Sequence, residues 1–195
     1  MSATRLLVLG VVRMFGKAHG YQVRRELLTW SADKWANVQP GSIYHALKKM
    51  AAENLLEQVD VEPGQPGPDR TAYRLTPEGE AQFLLLLEQS LADPTGPGPA
   101  MSAGITLMTT LPRKRVISLL RYQLVKREGE QRSARHMAEK EDDWGQPAHV
   151  RELFRLWQAH TEANLDWLRA LVARLEAGEY VMADDEGHSF GEPPE

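Results

Sequence analysis

Apolar and polar positions divide the chain into stretches of different period. Over residues 2–15, "SATRLLVLGVVRMF", almost every position is apolar, which predicts a first helix that is buried. After the turn "GKAHG", the stretch "GYQVRRELLTW" predicts a second helix opening near Tyr21. In "QPGS", Pro40 and Gly41 break the chain and Ser42 is available as a cap, so a third helix is expected from there. The period then changes to alternation. "LLEQVDVE" and "RTAYRLT" read as two strands, with "PGQPGPD" as the long tip of their hairpin. "TPEGEAQFLLLLEQSL" starts another helix, with Thr76 as cap and Pro77 at the first helical position.

Helix, helix, helix, hairpin, helix is the order of a winged helix-turn-helix domain. It ends at "ADPTGPGPA", residues 92–100, where proline and glycine stop a helix and nothing can build a core. Two long helices are predicted beyond it. One starts near Leu111 with Pro112 at its opening, and the other opens at Pro147 and ends near Gly178. The expected fold is mainly α with a small β-hairpin wing. Residues 1–92 form the winged domain, 93–100 a Pro/Gly linker, 101–180 an antiparallel helical domain for dimerisation and effector binding, and 181–195 an acidic tail whose composition predicts flexibility.

Charge sharpens this division. The net charge is −4, yet residues 1–50 hold eight Lys or Arg against two acids, and the acidic excess lies toward the far end. A basic part and an acidic part point to two tasks. The chain has no cysteine, which removes disulfides and thiolate metal sites and fits a reducing, cytoplasmic setting. Arg13 interrupts the opening apolar run, no small-residue cleavage site follows, and no other stretch reaches spanning length, so a soluble protein without a membrane partner is expected.

The parts of an enzyme are missing. The six histidines form no His-Glu-x-x-His pair, "GPGPA" lacks the lysine and flanking elements of a phosphate loop, and there is no Gly-x-Ser-x-Gly elbow. "HVRE" and "HTE" are better explained as exposed surface than as metal ligands. No catalytic residue, cofactor or metal is expected.

The third helix has two faces. Ile43, Ala46, Leu47 and Met50 form one apolar stripe, which leaves Ser42, His45, Lys48 and Lys49 opposite. On an arbitrary helix those residues would be a solvated face. Third in a helix-turn-helix, followed by a wing and set in the basic part of the chain, they suit a major groove. Lysine donates to guanine O6 and N7, histidine bonds base edges, and a hydroxyl takes a phosphate oxygen. Tyr44 lies between the faces and fits equally a half-buried structural ring or a phosphate ligand. Arg70 and Arg74 of the wing face backbone phosphates or a minor groove in this reading, although the tip is poor in cations. Arg24 and Arg25 are further phosphate contacts or ordinary surface arginines.

"LLVLGVV", "HGYQVRREL", "PGSIYHALKKMAAENLLE" and "RTAYRLTPEGE" together resemble the N-terminal domain of the PadR family of bacterial transcriptional regulators. The shared motifs are Gly20-Tyr21 at the second helix, Pro40 to Leu47 at the recognition helix, and Tyr73 to Gly79 at the end of the wing. The resemblance covers about the first ninety residues. It implies a winged-helix repressor that binds operator DNA as a dimer, with Ser42, Tyr44, His45, Lys48, Lys49 and Arg70 as DNA contacts. Two features depart from the family: the loop at 64–69 is more proline-rich and less basic than many of its wings, and His45 stands where proline or arginine is frequent. Both bear on base preference, not on the binding class.

In the C-terminal half, Leu153, Phe154, Leu156, Trp157, Leu165, Trp167, Leu168, Leu171, Val172 and Leu175 exceed what one helical hairpin can hide. A second copy is the expected partner, with Leu153, Trp157, Leu165, Leu168, Leu171 and Leu175 at the interface, and its two-fold axis would serve a palindromic operator. "EANLDWLRAL" resembles the final helix of longer PadR-type proteins, whose C-terminal helices carry dimerisation. The alternative is a monomer whose hairpin folds onto the winged domain. Trp144, Trp157 and Trp167 offer a pocket for a small aromatic or phenolic effector, against the plainer reading of tryptophan as core. Arg113, Lys114 and Arg115 crowd the first turn of a helix, where the dipole disfavours cations, and read as a solvated cluster or as a contact for DNA or a partner subunit. The competing function is a winged-helix adaptor between proteins without sequence-specific DNA binding; retention of the lysines and wing arginines argues against it.

Overall fold

The computed structural model describes residues 2–61, 71–93, 98–139 and 147–194. The elements run α1 (Ala3–Phe15), β1 (Ala18–His19), α2 (Gly20–Thr29), α3 (Ala32–Trp35), α4 (Pro40–Ala52), β2 (Leu56–Val61), β3 (Thr71–Leu75), α5 (Pro77–Ala92), α6 (Pro99–Leu107), α7 (Arg113–Glu139) and α8 (Arg151–Glu176), with 3-10 turns at Met108–Thr110 and Ala148–Val150. No helix among the described residues is long and apolar enough to cross a membrane.

The first helix is the centre of the molecule. Leu6, Leu7, Val8, Leu9, Val11 and Val12 are all fully buried, because α1 is packed by α2, α4, α5 and α6 together. This is why its sequence shows no polar face. The wing is a three-stranded antiparallel sheet of order β1-β3-β2, with Ala18 opposite Tyr73 and Leu56 opposite Leu75.

Helix starts follow local chemistry. Pro40 occupies the first helical position of α4, where its missing N–H costs nothing. The helix therefore opens two residues before Ser42. That serine is no cap: its hydroxyl donates to the Gln39 carbonyl at 2.7 Å. At α5 the expectation holds, since Thr76 Oγ1 accepts from the Gly79 N–H at 3.0 Å and donates to the Asn54 carbonyl at 2.6 Å. Thr76→Ala removes both bonds and is expected to cost about 1–2 kcal/mol, read as a lowered urea midpoint that Thr76→Ser restores.

Beyond α5 the sequence-based picture changes in three places. The stretch at 93–100 does not separate two bodies, because α6 already begins at Pro99 and packs on α1 and α5. α7 lies along α5 and α8 along α7, so the hairpin is folded onto the winged domain. Leu165, Leu168, Leu171 and Leu175, expected to wait for a second subunit, are buried within their own chain, while Leu153 and Trp157 stay 42% and 53% exposed. Three cross-helix ion pairs line the hairpin: Arg121 with Glu176 at 2.5 Å, Glu128 with Arg169 at 2.8 Å, and Arg135 with Glu162 at 3.6 Å.

The third change is the tail. Its acidic, proline-ended composition predicts flexibility, but Met182 and Ser189 are fully buried and the segment packs along the body. The acids have specific cationic and amide partners. Asp184 Oδ1 accepts the Arg113 N–H at 2.8 Å at the opening of α7, where the dipole favours a carboxylate, and Asp185 pairs with the Arg113 guanidinium. Of the expected cationic cluster, Arg113 is thus held internally, the exposed Arg115 is bound to Glu88 at 2.6 Å, and Lys114 is exposed beside it.

Candidate nucleic-acid interface

The two-faced reading of α4 is realised in space. Ile43, Leu47 and Met50 are buried against the core, and His45, Lys48 and Lys49 are exposed on the other side. Positions three and four apart on a helix are neighbours, so the imidazole and the two ammonium groups share one surface patch. Ser42 is half-buried at its edge.

Tyr44 resolves toward its structural reading. A Cβ on Gly20 would lie 2.6 Å from Tyr44 Cε1, so the ring occupies the space that glycine leaves at the opening of α2. The Gly20-Tyr21 and Pro40–Leu47 motifs, distant in sequence, meet at this contact. Gly20 is needed here for close approach and not for an unusual backbone angle.

Helix α2 supplies a second exposed strip. Arg24 and Arg25 are exposed, with Tyr21 and Leu28 beside them. Tyr21 stacks on His19 with ring centroids 5.6 Å apart, and the Gln22 side chain accepts the His19 N–H at 2.8 Å, which secures the start of the helix. Tyr21 was absent from the sequence-derived set; its place one turn before the arginines was the available signal.

The wing contributes less. Arg74 is exposed but faces its strand partner Glu57, with Nη1 to Oε1 at 3.3 Å. Arg70 lies outside the described residues. At the far end of α4, the hydrogen bond from the Arg5 guanidinium holds the Glu53 carboxyl below its ordinary pKa; desolvation opposes this, and Lys49 adds the smallest lowering. The carboxylate four residues beyond Lys49 is thereby already paired with a cation.

Two of the three tryptophans expected to line a pocket stand apart on the surface. Trp157 and Trp167 are exposed, at 53% and 37%, and stand ten residues apart on one helix, about 15 Å along its axis. Trp144 lies outside the described residues. Two buried polar side chains lie together on α7. Arg127 is only 5% exposed and its Nε and Nη2 have no partner among the described residues; Gln123 Nε2 donates to the Asp93 carbonyl at 2.6 Å, while its Oε1 has none there. Burial lowers the pKa of the Arg127 guanidinium, with Glu130 and Asp93 opposing that shift. Among the described residues, no group of three His, Asp or Glu is placed to hold a metal.

A buried-backed cationic helix, α4, that follows α2 and the short α3 and precedes a strand pair defines a winged-helix DNA-binding domain. Residues 8–84 match the model of the transcriptional regulator PadR-like family. Similar solved structures include Bacillus subtilis PadR in complex with operator DNA, at 20% identity and TM-score 0.41, covering 90% of this chain and 98% of that one. Bacillus subtilis PadR in complex with p-coumaric acid is 18% identical, with TM-score 0.39 and coverage of 89% and 99%. A PadR-like regulator from Bacillus cereus is also 18% identical, with TM-score 0.37 and coverage of 90% and 99%. No protein of curated function matches the chain.

Proposed function

We propose that this chain is a transcriptional repressor that binds a palindromic operator as a homodimer on the chromosome, in the cytoplasm. The observation that carries the reading is the exposed His45, Lys48 and Lys49 patch on α4, set rigidly on a buried stripe. In a major groove His45 bonds a base edge, and Lys48 and Lys49 take phosphates with Ser42, Arg24 and Arg25 or donate to guanine O6 and N7. Arg74 joins them only by exchanging Glu57 for a phosphate. A bound dimer covers the promoter and excludes polymerase.

The dimer reading is supported by the exposed start of α8. Leu153, Phe154, Leu156 and Trp157 are exposed within four residues of one another along α8, and Phe154 and Trp157 pack edge to face at 5.5 Å. Such a patch on a helix end asks for cover, and a second copy related by a two-fold axis supplies it while spacing two α4 helices about 34 Å apart. Leu153→Glu with Trp157→Glu is expected to leave a folded monomer in sedimentation equilibrium and to weaken operator binding steeply. Retention of the dimer would move the interface elsewhere.

An effector fits the same scheme. Arg127 and Gln123 bury unpaired donors and an unpaired acceptor between α5 and α7, and a small aromatic acid with a hydroxyl satisfies both. Bound more tightly in a non-reading arrangement, it releases DNA by shifting the population.

The test of the function is binding to the DNA upstream of the chain's own gene, against shuffled DNA, across a salt series, followed by pooled genomic fragments. Tight, selective binding with a steep salt slope is expected. Weak, unselective binding to all of these would replace the repressor with the adaptor.

A further inference from the structure

The C-terminal tail is tied to the molecule at both ends of its path. Near α8, the Arg113 guanidinium donates to the Leu175 carbonyl at 2.8 Å and the Tyr180 carbonyl at 2.7 Å, and its backbone N–H donates to Asp184. Farther on, Thr109 Oγ1 donates to the Phe190 carbonyl at 2.8 Å, and Arg13 Nη1 donates to the Gly191 carbonyl at 2.8 Å. The Phe190 ring meets Trp30 with centroids 5.5 Å apart. The segment thus runs from the hairpin, across the turn before α7, to the ends of α1 and α2.

Trp30 is the residue that closes α2. Its indole N–H donates to Glu26 within that helix, at 3.0 Å, and its carbonyl accepts from the Trp35 indole in α3 at 2.8 Å. The turn it anchors contains two non-glycine residues in the left-handed region, Ser31 (φ 55) and Asn37 (φ 53), one on each side of α3. Left-handed backbone is unfavourable for residues with a Cβ, so surrounding contacts must hold this path between α2 and α4. Phe190 braces it from behind.

We propose that the tail is a strap that sets the helix-turn-helix in its reading geometry, with Phe190 and Gly191 as positioning residues acting through Trp30 and Arg13. The functional half of this inference rests on the DNA-binding reading above. The strap starts at the hairpin, so it also gives the C-terminal domain a direct mechanical hold on α2. Gly191 suits the post because its φ is 91 and a Cβ there would meet the Thr110 methyl at 2.6 Å.

The test uses the full chain labelled with 5-fluorotryptophan, the Trp30 resonance being assigned with Trp30→Phe. Phe190→Ala is expected to shift that resonance, to lower affinity for selected DNA roughly 3- to 30-fold, and to leave the salt slope unchanged, since no phosphate contact is removed. Phe190→Tyr restores both signals. Thr109→Val, which deletes only the hydrogen bond to the Phe190 carbonyl, gives a milder version of the same change and serves if Phe190→Ala does not fold. An unmoved Trp30 resonance in Phe190→Ala and Thr109→Val, or a moved one with unchanged DNA selectivity, overturns the strap. Failure of the wild-type chain to bind DNA selectively is instead the failure of the repressor reading, and the positioning role falls with it.

Discussion

Lys48→Ala together with Lys49→Ala is expected to weaken selective DNA binding by about 10- to 100-fold at moderate salt and to lower the salt slope by about 2. Each ammonium group that meets a phosphate releases condensed counterions, so two such groups account for a slope change of that size. If Lys48 or Lys49 meets a guanine instead, the slope changes by about 1 and selectivity falls at one base position. Both residues are exposed, opposite the buried Ile43, Leu47 and Met50. Thermal stability should therefore stay within about 0.5 kcal/mol of wild type. Fluorescence anisotropy at several salt concentrations, with a melting curve as control, makes the measurement. An unchanged affinity and slope would remove the polar face of α4 from the interface.

Gly79→Ala is expected to destabilise the fold by about 3 kcal/mol or more, seen as a lower denaturant midpoint with little change in slope. Gly79 is buried in the first turn of α5, and a Cβ there would lie 2.0 Å from the Leu55 carbonyl oxygen and 3.0 Å from its carbon. The obstacle is backbone and has no rotamer to yield. It is also a committed acceptor, since the Thr76 N–H donates to the same oxygen at 3.2 Å. Wing and helix meet edge-on at this joint, which explains the glycine that ends the Tyr73 to Gly79 motif. Gly41→Ala is the matched control: nothing lies within 4 Å of a Cβ there, so no clash should register in the fold.

The elements legible in the sequence are those with a period long enough to repeat or a proline to mark their start. α1, α2, α4, α5, α7 and α8 have both or one, and the two long strands alternate. β1 has two residues and α3 four, too few to show any period. α6 is built from "PAMSAGITL": its opening Pro99 falls in a Pro/Gly run that reads as linker, and its small residues fit a close helix crossing but draw no stripe. The reading face of α4 was legible because a buried stripe defines what lies opposite it. The pairing of Arg74 with Glu57 depends on strand register, and the docking of the tail depends on which acid meets which cation; neither is a property of composition.

The ion pairs along the hairpin carry one more consequence. Arg121, Glu128 and Arg135 stand seven residues apart on α7, as do Glu176, Arg169 and Glu162 on α8, and the sign alternates from rung to rung. Singly, exposed pairs of this kind contribute roughly 0.2–1 kcal/mol. Together they act like the wards of a key. Displacing α8 by seven residues would set Arg121 against Arg169 and Glu128 against Glu162, so the next register with matched apolar positions is the one that charge repulsion forbids. A signal that travels through the hairpin is then expected to swing the two helices together, since the pairs disfavour a slide of one past the other by seven residues.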